Sequence, residues 1–410
     1  MARKSSVGQR GGVVAGVGAV CVAGGAAALL VGMSGAGAGR GDAGRAAATA
    51  RLRAAHIRQV GEVTIASPRP YFVPYSGQGP SLSAGRVAWT ANSGQGATGS
   101  SIDRIYLYDL ARRQLSTPVY SRYGVNGFIG DYALAGDELA YVDTGVTPAR
   151  IFTWQVCIDD LRHRRSRVVV ASPPGASSYI PPRIAFDGTH LLVLQTAILG
   201  SNAATATPEN TVLLYTLSRP DQKPETLARI RQAASLGDPA LTRDIALWTT
   251  QVFGRHPSSR LTAYDMRRRV RHAIPVGDVS EVAANGDYVV WKSGLASMPG
   301  GRIGLYSLQG ERILSGDLAH GDKATFPSVG GDLVSWTSVD NSRVQVYSLA
   351  ARRVVHDAAP VPRRVYGLSA VAGDTAGAPA AGRAVSWVYT ANVLGKGPQR
   401  GYVVVRPVGP

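Results

Sequence analysis

The chain has 410 residues, with 44 Lys and Arg against 27 Asp and Glu, and a formal net charge of +17. Hydrophobic residues at 45% and charged residues at 17% exclude a disordered chain, and 49 glycines without a Gly-X-Y period exclude collagen. Two cysteines exclude a disulfide scaffold and a cysteine-based zinc site.

The first element is an apolar helix. Arg3, Lys4 and Arg10 precede a charge-free stretch from Gly11 to Gly39 whose apolar part ends at Met33. About 20 such residues cross a bilayer, so residues 1–38 are read as a signal peptide or membrane anchor. Ala36-Gly37-Ala38 is an acceptable cleavage site, and both forms stay open. Arg40, Arg45, Arg51, Arg53 and Arg58 follow the run and lean the orientation rule towards a cytoplasmic carboxyl side. Export is preferred over that arrangement because a single apolar segment at the amino terminus is usually a targeting device. Residues 39–60 are read as a basic Ala/Arg-rich linker.

From residue 61 onward the chain repeats. One block reads AGRVAWTA (84–91), TRDIALWTT (242–250), NGDYVVWKS (285–293), GGDLVSWTS (330–338) and AGRAVSWVYT (381–390). Trp89, Trp248, Trp291, Trp336 and Trp387 share one position, and GDELAYVDT (136–144) and DGTHLLVLQT (187–196) are weaker copies. A second block reads RIYLYDL (104–110), TVLLYTL (211–217), RLTAYDM (260–266), RIGLYSL (302–308) and RVQVYSL (343–349), with an altered copy at 150–161 and a truncated one, RGYVVVRP, at 400–407. Seven units of nearly 50 residues, each alternating with period 2, predict an all-β, seven-bladed β-propeller over 61–410. The recurring aromatics fill the wedge between neighbouring blades. The seventh unit lacks an outer strand, and GEVTIASP (61–68) is an orphan β-run, so pairing the two closes the ring.

These repeats resemble the blades of the TolB-like superfamily, and more closely the "gd-VVW…I-YDL" repeats of exported bacterial propellers, over about residues 61–410. The resemblance implies a fold and little about function. The TolB-type SPDG turn is missing, with only Asp187-Gly188 in its place, and 60 residues are too few for TolB's amino-terminal domain. Gly-His and Trp-Asp pairs of WD repeats are absent.

Chemical motifs are sparse. There is no G-x-S-x-G elbow, and the seven histidines are scattered without metal spacing, so no catalytic residue, cofactor or metal is assigned. Asp159-Asp160 is read as pairing with nearby arginines, and Cys157 as a buried thiol. Basic residues recur where the Tyr strand turns: Arg112, Arg113, Arg164, Arg165, Arg267, Arg268, Arg269, Arg352 and Arg353 form a rim on one face. Such a rim suits anionic lipid, wall polymer or nucleic acid, or simply blocks edge pairing. Nucleic acid is disfavoured because the turns lack interleaved aromatics. On the other face, long polar loops nominate Asn92, Asn202, Asn210, Arg255, His256, Asn392 and Lys396 for binding.

The sequence thus predicts an exported, non-catalytic binding or scaffold propeller, secreted or anchored at the cell envelope, with a protein or anionic polymer as partner. Two alternatives stand beside it. One is a polysaccharide-acting enzyme at the channel mouth, which requires charged residues clustered on the inner strands. The other is a membrane-tethered cytoplasmic propeller.

Overall fold

The computed structural model describes residues 56–59, 62–66, 80–91, 104–124, 127–146, 152–172, 179–199, 207–219, 221–231, 234–253, 255–295, 300–339, 343–358, 370–374, 383–391 and 400–407. The expected N-terminal helix lies outside them. The described residues form 29 strands.

The chain opens with β1 (His56–Gln59) and β2 (Glu62–Ala66). Blade 1 is β3 (Ser81–Ser83), β4 (Arg86–Ala91), β5 (Arg104–Asp109) and β6 (Gln114–Tyr120). Blade 2 is β7 (Gly127–Ala135), β8 (Glu138–Val146), β9 (Phe152–Asp160) and β10 (Arg165–Ala171). Blade 3 is β11 (Tyr179–Phe186), β12 (His190–Leu199), β13 (Thr207–Thr216) and β14 (Glu225–Arg231). Blade 4 is β15 (Ala234–Leu241), β16 (Ile245–Val252), β17 (Ser258–Asp265) and β18 (Val270–Ile274). Blade 5 is β19 (Val279–Ala284), β20 (Tyr288–Ser293), β21 (Ile303–Ser307) and β22 (Arg312–Ser315). Blade 6 is β23 (Ala324–Gly330), β24 (Leu333–Ser338), β25 (Val344–Ser348) and β26 (Arg353–Ala358). The last strands are β27 (Ala370–Asp374), β28 (Arg383–Ala391) and β29 (Arg400–Pro407).

Each of the six blades is a four-stranded antiparallel meander. The two ends of the chain build a different sheet of five strands, in the order β1-β2-β29-β28-β27. The expected seven uniform blades are therefore six, with this composite sheet beside them. The orphan run does pair with the last strand: Val63 faces Val405 and Ala66 faces Tyr402. The fifth strand, β1, falls in the stretch read as linker, and pairs with β2 from His56–Ile65 to Gln59–Glu62. Innermost strands touch in a circuit, β3 to β7, β11, β15, β19, β23 and β27, and β27 returns to β3.

Alternation along the second strand of a blade sends neighbouring residues to opposite seams. In β16, Ala246 and Trp248 pack against Leu192, Val212 and Leu214 of blade 3, while Leu247 packs against Val279, Val289 and Trp291 of blade 5. In β4, Val87 and Trp89 join Val405 of the composite sheet, whereas Ala88 joins Leu139 and Tyr141 of blade 2. Trp89, Trp248, Trp291 and Trp336 are all buried, and Tyr141 takes their place in blade 2. Trp387 lies on β28 opposite Val404.

The Tyr-strand motif has a backbone cause. The Leu or Met two residues after each Tyr donates its N–H to the turn between the blade's first two strands: Leu110 to Gly85, Leu217 to Thr189, Met266 to Asp244, Leu308 to Asp287 and Leu349 to Asp332, at 2.8–2.9 Å. Leu161 does the same to Asp137 in blade 2 at 2.8 Å.

At three of these Trp residues the residue opposite is fitted to the ring. Tyr106 stacks on Trp89 with ring centroids 5.8 Å apart, and Gln345 accepts from the Trp336 indole at 2.6 Å. Opposite Trp291 stands Gly304, where an added Cβ would lie 2.1 Å from the ring. Gly304→Ala is therefore expected to overpack the blade 4–5 seam and destabilise the protein by about 1–3 kcal/mol, read as a lower urea midpoint. An unchanged midpoint would mean that the seam has slack around Trp291.

Candidate functional site

Two charged arrangements stand out. The first lies on the inner strands. Five of them carry a register shift at the same place: Ile129/Asp131, Ile180/Arg183, Leu236/Pro239, Val279/Glu281 and Thr325/Ser328. A bulge re-aims the side chain it carries, and here it turns charges across the seams. Asp131 accepts the Ile184 N–H of blade 3 and its neighbour Tyr132 N–H, both at 2.8 Å. Arg183 pairs with Asp238 of blade 4. Glu281 accepts from Lys292 Nζ at 2.5 Å, and from the blade 6 donors Thr325 Oγ1 at 3.1 Å and Phe326 N at 2.6 Å.

Arg183 thus sits in the field of Asp131, Asp238 and Glu281, from three blades. Burial lowers its pKa, and the attraction of Asp131 and Glu281 works against that shift. Asp131 itself is only 2% exposed, and burial pushes its carboxyl up to about 7 against the hydrogen bonds from Ile184 and Tyr132 and the pull of Arg183. Lys292 is 3% exposed, while Arg183 and Asp238 keep 29% and 34% of their side chains accessible. Chemically these groups clasp one blade to the next. Among the described residues no three His, Cys, Asp or Glu are grouped to hold a metal ion. Single-sequence motif reading missed the clasp, although a small residue or Pro precedes each charge: Gly130-Asp131, Pro182-Arg183, Gly237-Asp238 and Ser280-Glu281.

The second arrangement is the arginine turns. Strands three and four of a blade are joined by four residues, as shown by the closing pairs Asp109–Gln114, Asp160–Arg165, Asp265–Val270, Ser307–Arg312 and Ser348–Arg353. The last residue of the third strand accepts turn N–H groups: Asp109 from Arg112, Asp160 from Arg162 and His163, Asp265 from Arg267 and Arg268, Ser307 from Gly310, and Ser348 from Ala351. That is the reason for Asp or Ser at this point of the repeat. Asp160 also accepts from His163 Nδ1 at 2.6 Å, so it caps the turn where pairing with arginines was expected, while Asp159 accepts from Tyr141 OH at 3.3 Å.

Each turn ends in a left-handed residue: Arg113 (φ 52°), Arg164 (55°), Arg269 (55°), Glu311 (47°) and Arg352 (52°). Gly or Asn fits this conformation best, yet four of the five are Arg. All nine rim arginines named from the sequence are exposed. Arg267 pairs with Asp244 at 2.7 Å, which places the turns between strands one and two on the same face as the arginine turns.

The loop-face candidates fare differently. Asn210 is a correction: it lies in β13, fully buried, accepting from Thr196 Oγ1 at 2.8 Å. Of the stretch 197–210, expected as a loop, both ends are strand, because β12 runs on to Leu199 and β13 starts at Thr207, and 200–206 lie outside the described residues. Arg255 and His256 are exposed in the bend between β16 and β17. Asn92, Asn202, Asn392 and Lys396 lie outside the described residues. Cys157 is buried against Tyr141 and Leu139, and burial raises its thiol to about 11, so it carries no thiolate at neutral pH.

The raised Asp131 carboxyl has a definite effect on stability. An unfolded Asp ionises near ~3.9, so between there and about 7 the folded chain binds more protons than the unfolded one. Stability contributed at this site is therefore full below pH 4 and declines as pH rises to 7, by up to about 4 kcal/mol. Asp131→Asn is expected to flatten that slope, so that the gap in urea midpoint between variant and wild type shifts in favour of the variant from pH 4.5 to pH 8. Parallel profiles would show that the site titrates alike in both states.

No protein-family model matches the chain, and no curated protein matches it. Solved structures match it in fold. The β-propeller domain of the Trilobed protease from Pyrococcus furiosus, described as having an open velcro topology, is 9% identical with a TM-score of 0.51, covering 81% of this chain and 94% of that one. The Pyrococcus horikoshii acylaminoacyl peptidase is 11% identical with a TM-score of 0.52, covering 81% of this chain and 52% of that one. A prolyl endopeptidase is 12% identical with a TM-score of 0.52, covering 80% and 49%. The chain thus spans about half the length of these two peptidases. At such identities the likeness concerns architecture alone. By strand order, seam packing and these matches, the chain is a β-propeller.

Proposed function

We propose that this chain is a non-catalytic binding scaffold at the cell envelope, and that its recognition surface is the face carrying the arginine turns. The composite sheet acts as a seventh blade that closes the ring, making the six regular blades and their turns one stiff platform. One observation carries the reading: exposed arginine recurs at the left-handed end of the turn in blades 1, 2, 4 and 6. Structure alone would favour Gly or Asn there, so the recurrence speaks for an anionic partner. Inner-strand charges are engaged with neighbouring blades, which favours a structural use of them over catalysis. Placement at the envelope rests on the basic, then charge-free amino terminus and on the resemblance to exported propellers.

A photo-reactive amino acid in place of Ala350, exposed within the arginine turn of blade 6, tests this reading against the same probe in place of Phe253 on the opposite face. In intact cells, adducts are expected from position 350 and few from 253, and protease added outside the cells is expected to cut the chain. Adducts only from position 253 would overturn the choice of face. Protection from protease until lysis would overturn the envelope placement and favour a tethered cytoplasmic propeller.

A further inference from the structure

We propose that the arginine-turn face docks the propeller flat against an anionic lipid bilayer. The inference rests on the preceding choice of face and names its partner. Three features of that face select a bilayer among anionic partners.

The first is geometry. Equivalent turns join strands three and four in successive blades, so the repeat arrays their exposed arginines around one face of the ring. A sheet of headgroups can meet all of them together, whereas a filament crossing the disc meets only those along its path. Blade 3 adds Arg219 and Lys223 in its own longer turn between β13 and β14.

The second is the company the arginines keep. Val270, Ile313, Leu314 and Val354 are large apolar residues, 36–53% exposed, and each lies within three residues of a left-handed turn residue. Basic groups alternating with exposed aliphatic side chains suit the boundary between headgroups and acyl chains. A soluble polyanion offers the aliphatic groups nothing, and single-stranded nucleic acid calls for aromatic platforms instead.

The third is how the face handles its own carboxylates. Asp109, Asp160 and Asp265 are drawn back into the turns by backbone N–H groups, and Asp244 and Asp137 are paired with Arg267 and Arg86. These five acids are occupied at the base of the turns, while Glu311 of blade 5 and Asp221 of blade 3 stay exposed among the turn residues. Among the described residues, Arg113, Arg164, Arg269 and Arg352 have no carboxylate within ion-pair distance.

The left-handed positions supply an unusually clean test. Replacing these four arginines by Gly (Arg113→Gly, Arg164→Gly, Arg269→Gly, Arg352→Gly) removes charge while suiting the backbone, so the thermal midpoint should not fall. Full-length protein is mixed with vesicles of phosphatidylglycerol and phosphatidylcholine, or of phosphatidylcholine alone. A basic residue near an anionic surface strengthens association roughly fivefold, so the quadruple variant should lose about six-hundredfold in partitioning to the anionic vesicles. On neutral vesicles the two proteins should behave alike, which separates the turns from any contribution of the apolar amino terminus. Anionic vesicles should also slow amide exchange at 110–114, 161–165, 266–270 and 349–353, and Ile313→Ser with Leu314→Ser should weaken vesicle binding while leaving binding to soluble polyphosphate unchanged.

Equal partitioning of variant and wild type to anionic vesicles would overturn the proposal, as would polyphosphate protecting the same turns as strongly as vesicles do. If the Gly set lowers the thermal midpoint, Asn at the same four positions keeps the test, since Asn also accepts left-handed backbone. Adducts from position 350 to a protein or wall polymer, with no vesicle binding, would sink the lipid partner and leave the choice of face standing.

Discussion

Each sheet in this ring has to be covered on both faces, and the covering must be done by the next sheet round. That requirement shapes nearly everything else. A β16 residue pointing one way meets blade 3 and its successor meets blade 5, so the middle strands of a blade have no solvent side. They become runs such as Ala-Leu-Trp and Val-Val-Trp, and polar residues are pushed to turns and outer strands. A chain obeying this rule needs few charges, which is why 17% suffices for 410 residues. It also needs an end to the row. Val405 completes the cluster around Trp89, so the pairing of β2 with β29 supplies the sheet that covers the first face of blade 1.

Towards the axis the wedge narrows and the rule changes. Large aromatics fit where blades diverge, and Trp89, Trp248, Trp291 and Trp336 fill that space. Near the inner strands, bulged polar groups join the apolar packing of residues such as Ile129, Ile184 and Val282. Asp131 holding the Ile184 N–H and Glu281 holding the Phe326 N–H tie adjacent sheets together through side chains, beside the Gly301–Ala324 backbone bridge between blades 5 and 6. A buried carboxylate is tolerable only with such donors around it. The seams are thus apolar throughout with polar links added at the inner strands, and both parts oppose the sliding of one blade past the next.

The repeats were legible because they depend on local rules. Trp at one strand position and Tyr-polar-Leu at another follow from seam width, from an Asx-type turn, and from one N–H reaching one carbonyl. None of these needs a distant partner, and they recur wherever the unit recurs. Less local features were hidden. Strand β1 reads His-Ile-Arg-Gln, with no alternation to mark it, and exists because β2 offers an edge. Asn210 looks like a loop residue beside Pro208 and Glu209, but β12 and β13 pair along ten residues and carry it into the sheet. The inner-strand charges differ in sign from blade to blade, Asp, Arg, Asp, Glu, so only the register between blades reveals that they belong together.

The same distinction between local and distant causes bears on the two faces of the disc. Four-residue turns capped by their own Asp or Ser are held by hydrogen bonds within the turn and by the Leu or Met N–H beside it. Their arginine stems therefore start from fixed points, and less backbone freedom remains to be lost when a partner binds. The arginine side chains stay long and exposed, so their charge can adjust to irregular spacing of anions while the stems keep the array level. A rigid base with adaptable tips is a better arrangement for a broad, weakly patterned surface than for a single shaped ligand. Such a surface rewards many modest contacts made at once, and a ring of equivalent blades is a direct way to provide them.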